Sequence, residues 1–304
     1  MKLAYLISAY KDPKHLARLV EALGRNADCY IHIDKRVNIV PFERALRGKM
    51  NVMLISNRVS VAWGGFSQVL AIIGMLRAAF VSGILYDRIL SITGSDYPIW
   101  SNQKLEEEFA FYPYKEYISG FNISKTSSKI QRNKICKYWF FDQPVSHNIV
   151  NKVCRKITNM LSARLPLSKS LQVRIGERNC DVYFGSDYWA LTYGCAKHVY
   201  DTFMSEEDIQ AYFRHAFAPS ELFAQSIVFN SVFQKQAMLY PGIEFPGLSK
   251  LTPLHHIDYD KEVRVFSESD YEALVQSGKM FFRKASSEKS GKLLDKIDAL
   301  RSVG

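Results

Sequence analysis

The chain has 304 residues, 47% hydrophobic and 23% charged, with a formal net charge of +10. That length and balance suit one large α/β domain or two small ones and exclude wholesale disorder. The basic excess favours anionic partners (nucleotide diphosphates, phospholipid surfaces, acidic glycans or nucleic acid) without choosing among them.

The first apolar run, in MKLAYLISAYKDP, is too short to cross a bilayer and no cleavage-site pattern follows it. No other stretch reads as a membrane span, so a cytoplasmic protein is expected, touching at most the inner face of a membrane. Cys29, Cys136, Cys154, Cys180 and Cys195 are odd in number and widely spaced, with no CxxC pair. Buried free thiols in a reducing compartment are expected, and a structural zinc is not.

Lys2 to Ile7 predicts a first strand. Pro13 then opens an amphipathic helix through Leu16, Leu19, Val20 and Leu23. CYIHID and NVMLIS predict the second and third strands. Val69, Ile72, Ile73, Leu76 and Phe80 fall at helical spacing over Phe66 to Phe80, and DRILSIT predicts a fourth strand closed by a GSDYP turn. Such alternation predicts an α/β fold with a mostly parallel central sheet flanked by helices, residues 1–120 forming its first half. Ligands of such sheets sit beyond the carboxyl ends of the strands. There this chain carries Ser8 with Tyr10, Asp34, and Ser95 with Asp96. No GxGxxG follows the first strand and no Walker-type loop exists, which disfavours a standard dinucleotide or P-loop fold.

Residues 121–178 hold twelve Lys or Arg against two acids, Asp142 and Glu177, and so account for the whole net charge. Tyr138, Trp139, Phe140 and Phe141 cluster within them. The stretch predicts a basic helical insertion or lid over 121–180, and a solvated basic face without a partner fits it as well. In the second half, 181–304, DVYFGSDYWALT predicts a strand and GCAKHVYDTF a helix. A further helix is expected over Glu221 to Phe233 with Ser220 as its cap, and a charged one over Ser286 to Val303.

Among residues able to do chemistry, Glu221 in FAPSELFAQS is either a first-turn acid held by the helix dipole or a general base. Inverting transfer from a nucleotide sugar needs one carboxylate to take the acceptor's proton, because the diphosphate is already a good leaving group. Asp34 is either a turn acid or an acceptor for a ribose hydroxyl or a uracil NH. Trp63, beside Gly64 and Gly65, is either a core ring or a stacking surface. Arg283 and Lys284 offer fixed cations for a diphosphate or are two exposed bases. Asp258 and Asp260 form a DxD pattern next to His255 and His256, which holds a metal in some transferases and often arises by chance.

Taken in order, AYLISAYKD, YIHIDKR, SNRVSVAWGGFSQVLA, LSITGSDYPIWS, FGSDYWALT, APSELFAQSIV and FFRKAS resemble the core-2/I-branching N-acetylglucosaminyltransferase family, to which the peptide xylosyltransferases are related. The resemblance runs from Ala4 to about Lys284 and is weakest over 121–178. It implies a GT-A-like fold and inverting transfer from a UDP-sugar without a metal. Pro219-Ser220-Glu221 matches the family's Pro-Asp-Glu motif, which places the general base at Glu221 although the middle residue differs. The family's nucleotide side falls on Asp34, Trp63 and Lys284, with Arg264 or Lys261 as a second base, and its acceptor side on Asp96. Ile7, Ser8 and Arg283 are expected beside the nucleotide as well, and Tyr97 and Trp189 beside the acceptor. Ala285 stands where the family has Phe. The donor sugar is expected to be N-acetylglucosamine or xylose, and the acceptor a glycan or lipid-linked glycan. Two other readings compete: a Mn²⁺-dependent transferase using Asp258 and Asp260, and a polyanion- or nucleic-acid-binding protein using 121–178. No RRM, KH or helix-turn-helix signature supports the last, and no nucleic-acid partner is expected.

Overall fold

The computed structural model describes residues 1–142, 157, 160, 168–259 and 263–303. The first part runs β1 (Leu3–Ala9), α1 (Pro13–Leu23), β2 (Asp28–Ile33), α2 (Val40–Ala45), β3 (Val52–Leu54), α3 (Ser67–Val81), β4 (Arg88–Thr93), β5 (Asp96–Pro98) and α4 (Asn102–Phe111). It continues through β6 (Glu116–Asn122) and α5 (Lys129–Cys136) to β7 (Gln172–Ile175), β8 (Arg178–Asp181), β9 (Tyr183–Phe184) and β10 (Ala190–Thr192). The last part holds α6 (Tyr193–Ser205), α7 (Glu207–Arg214), α8 (Phe223–Phe229), β11 (Ala237–Tyr240), β12 (His255–Ile257), α9 (Tyr271–Gln276), β13 (Phe281–Arg283) and α10 (Gly291–Val303).

Seven strands order as β11-β6-β10-β4-β1-β2-β3, with β9 added on β6. β1, β2, β3 and β4 are mutually parallel, as are β6 and β11, whereas β10 runs antiparallel between β4 and β6. The protein is thus α/β with a mostly parallel central sheet flanked by helices, consistent with a GT-A-like fold. Alternate residues of each strand face opposite sides. Ala4, Leu6, Tyr30 and Ile89 bury against α3, α6 and α8, while Leu3, Tyr5, Ile7, Cys29 and Leu90 bury against α1, α4 and α10. Both cores draw residues from the first and last thirds of the chain.

Pro13 at the first turn and Asp12, whose side chain accepts from His15 N, start α1 as its sequence suggests. The region after 181 departs from expectation. DVYFGSDYWALT holds two short strands, β9 and β10, after the last residue of β8, because the chain leaves the sheet between Phe184 and Ala190. A Cβ at Gly185 would collide with the Ser119 carbonyl, so only glycine lets the two backbones come this close. Ser220 caps nothing: Pro219–Glu221 is a 3₁₀ turn entered from Ala218 in the left-handed region (φ 48°), and α8 begins at Phe223. The helix ends at Phe229, and Val232–Gln236 forms a second 3₁₀ turn. GSDYP is a turn only at Gly94-Ser95, since Asp96–Pro98 is a strand. The C-terminal helix starts at Gly291 rather than Ser286. Part of the basic segment, 143–167 apart from 157 and 160, lies outside the described residues, as do Asp260 and Lys261.

β5, β12 and β13 form a separate three-stranded sheet in the order β12-β13-β5. Its register sets Arg283 opposite Asp96 and His255 beside Phe281. Cys29, Cys180 and Cys195 are buried free thiols, and Cys136 is half-buried. No helix among the described residues is long and apolar enough to cross a membrane.

Candidate active site

β1 feeds α1 and β2 on one side, and the chain later returns through α3 to β4 on the other. In α/β sheets, ligands bind beyond the carboxyl ends of the strands at such a reversal. There Gly94 N donates to Ser8 O (2.9 Å).

Asp34 follows β2. Its carboxylate accepts from Arg36 N (2.9 Å), Nε (3.1 Å) and Nη2 (2.5 Å). The acid is therefore the turn residue that one sequence reading predicts, and it anchors an arginine as well. Burial alone would raise its pKa; the Arg36 hydrogen bonds overcome this and hold it below the usual carboxylate range. Arg36 reaches on to the Val61 carbonyl, which starts the turn carrying Trp63.

Trp63 is 75% exposed, so the core reading fails for it. It meets Phe217 edge-to-face, at 5.8 Å and 82°. Gly64 takes a positive φ of 73° to make the turn, and its carbonyl accepts from Ala218 N (3.0 Å). Trp139 stacks on Phe141 at 5.9 Å, and both pack edge-on against the same Phe217. Asp142 then accepts from Ser67 N (3.2 Å) at the start of α3.

The tie from Gly64 to Ala218 brings the turn within three residues of Glu221. Glu221 is half-buried, its carbonyl accepting from Gly185 N (2.9 Å). Burial raises its carboxyl, Asp187 raises it further, and Lys134 offsets part of this, leaving a pKa of about 8. The reading of Glu221 as a first-turn acid held by a helix dipole is corrected: the residue ends a 3₁₀ turn ahead of α8, and burial favours its protonated form. The same burial lowers Lys134, whose Nζ sits 4.0 Å from the Phe184 ring centroid. Asp187 is also raised by burial, with Arg283 pulling against it.

Arg283 closes the set. Its Nη1 donates to Asp96 Oδ1 (2.9 Å) and also meets Thr93 Oγ1. Its guanidinium lies 5.8 Å from the Tyr188 ring centroid. Lys284 follows, its N donating to Arg264 O (3.2 Å) and its O accepting from Phe266 N (2.9 Å). The Arg264 side chain pairs with Asp258 (3.0 Å) and Asp270 (2.8 Å). Among the described residues no three His, Cys, Asp or Glu side chains group as a metal site.

Asp34 is thus tied through Arg36 and Val61 to the Trp63 turn, and that turn through Gly64 and Ala218 to the segment of Glu221. Asp187 feels the charges of both Glu221 and Arg283. Several other expected residues are closed off. Ile7 and Trp189 are core side chains, and Tyr97 is closed to solvent with its OH donating to Asp298 (2.7 Å). Asp96 is equally closed, so no acceptor reaches Asp96, Tyr97 or Trp189 in this conformation. Ser8 is half-buried at the carboxyl end of β1.

Sequence reasoning passed over Lys134, Asp187 and His255 as site residues. One signal was present for Asp187. The tetrapeptide GSDY occurs twice, at 94–97 and 185–188. The first copy places its aspartate in the small sheet, and the second turns its aspartate toward Glu221.

A family model described as "Branch: Core-2/I-Branching enzyme" matches residues 3–239. A human N-acetyllactosaminide beta-1,6-N-acetylglucosaminyl-transferase is 21% identical over 226 residues, covering 73% of this chain and 51% of that protein. The chain thus spans about half the length of this curated relative. A solved cytidylyltransferase from Leptospira borgpetersenii serovar Hardjo-bovis (strain JB197) covers 79% of this chain and 74% of its own. Its TM-score of 0.30 and identity of 11% make a likeness too slight to bear on fold or function.

Proposed function

The chain belongs to the Core-2/I-Branching enzyme family, and from that premise we propose that it transfers a sugar from a UDP-sugar to a hydroxyl of a glycan, with inversion and without a metal. The observation that carries this reading is Glu221. It is a half-buried carboxylate with a pKa near 8, raised by burial and by Asp187. A base tuned close to working pH combines ionisation with proton affinity.

In this account Glu221, as carboxylate, takes the proton of the acceptor hydroxyl while that oxygen attacks the anomeric carbon. The bond from that carbon to the phosphate oxygen breaks, and its electron pair leaves with UDP. Arg283 and Lys284 neutralise the diphosphate, the role a metal serves in other transferases. Asp34 and its Arg36 receive the uridine end, and Trp63 stands between uridine and base. N-acetylglucosamine is the first donor sugar to test and xylose the second. A lipid-linked glycan at the inner membrane face suits the basic charge of 121–178, which an anionic surface attracts.

A metal-dependent reading would use Asp258, which is paired with Arg264 in this structure. One assay separates the two: UDP release from a panel of UDP-sugars with glycan acceptors, with and without EDTA. We expect release that EDTA leaves unchanged. Loss in EDTA with recovery on adding Mn²⁺ would contradict the metal-free mechanism. No release, together with no thermal stabilisation by UDP, would contradict the donor class itself.

A further inference from the structure

Asp96 lies where a resemblance puts an acceptor contact, yet its carboxylate has no open side. It accepts from Thr93 N (2.6 Å) and Thr93 Oγ1 (2.7 Å), hydrogen-bonds His255 Nε2 (3.1 Å), and accepts from Arg283 Nη1 (2.9 Å). Thr93 is local, and two distant segments supply His255 and Arg283. The small sheet joins them by setting Asp96 directly across from Arg283 and placing His255 on the next strand. His255 is itself packed between Phe281 (5.2 Å) and Tyr188 (4.4 Å). The Arg283 side chain, by contrast, keeps 16% of its surface open.

We propose that Asp96 is a positioning residue for donor binding: seated on Thr93 and His255, its carboxylate holds the Arg283 guanidinium where the donor diphosphate docks. This rests on the nucleotide-sugar reading above. A guanidinium presents its donors in a rigid fork, so one buried carboxylate on one edge fixes the direction of the rest. Burial would raise the Asp96 pKa, but His255 and Arg283 overcome it and hold the group at about 2. The brace is therefore ionised at any working pH. Asp96 acts through Arg283 and touches no substrate.

The test is UDP affinity, measured by titration calorimetry on the full chain and on Asp96→Asn, Arg283→Gln and the double variant. Asp96→Asn keeps the shape and removes the charge. We expect each single change to weaken UDP binding by about tenfold or more, the worth of a charge-assisted hydrogen bond. The double variant should bind within about twofold of Arg283→Gln alone, because coupled residues do not add. Additive losses, or a lowered melting temperature with unchanged UDP affinity, would show Asp96 to be only a structural brace and overturn the proposal. If Asp96→Asn does not fold, His255→Gln removes the other support of the same carboxylate and should shift UDP affinity in the same direction; unchanged affinity in a folded His255→Gln overturns it. Wild-type protein that does not bind UDP overturns the nucleotide reading itself, a separate failure.

Discussion

Glu221 and Asp187 approach each other from two chain segments, and neither carboxyl is fully hydrated. Burial is the larger cause of the raised Glu221 pKa and Asp187 the next. A base works in its ionised form, so kcat/KM should rise with pH and level off above about 8, the free-enzyme value. Replacing Asp187 with Asn removes a neighbouring negative charge. The rising limb should then move to lower pH, which a pH–rate profile of both proteins will measure. A limb that stays put or moves upward would show that Asp187 does not face the base. At this scale the sequence was a partial guide. Asp34, Trp63, Glu221 and Arg283 stand out by type and neighbours. Asp187 and Lys134 escaped because their importance comes from burial and from partners far along the chain. For Asp96 the sequence misled: it marks a strand end well but does not tell which copy of GSDY points outward.

The elements that carry these groups differ in how plainly they announce themselves. β1, β2 and β4 are parallel strands buried on both faces, and each reads as a continuous apolar run. α1 and α3 carry apolar residues at helical spacing. β5, β12 and β13 are only three residues each and pair across 96, 255 and 281–283, so no local pattern reveals them. The 3₁₀ turn under Glu221 was hidden for a similar reason, since it is imposed by Ala218 at positive φ and by its tie to Gly64. Gly185 belongs to this scale: its amide holds the Glu221 carbonyl, and its missing side chain lets β9 lie on β6. Gly185→Ala should cost about 1–3 kcal/mol in urea unfolding, as an overpacked site does. It should lower kcat more than it weakens UDP binding, because it shifts the base and leaves Asp34 in place. Unchanged stability would mean that the close approach is not needed.

Across the whole molecule, one central sheet separates two cores, and each core is completed by residues from both ends of the chain. The small sheet, apart from the central one, carries Arg283. The net charge of +10 gives the surface a field that draws anions. Composition discloses the charge, and alternation discloses the parallel half of the sheet. The antiparallel insertion of β10 between β4 and β6 is decided by packing between segments about a hundred residues apart, which periodicity does not reach. The central claim is that this scaffold exists to place one base against a UDP-sugar. Its most direct test is the transfer rate of Glu221→Gln beside its UDP affinity. The account predicts a fall in transfer of about 10²–10⁴-fold with UDP affinity kept. Near-normal transfer by a folded, UDP-binding Glu221→Gln would contradict it.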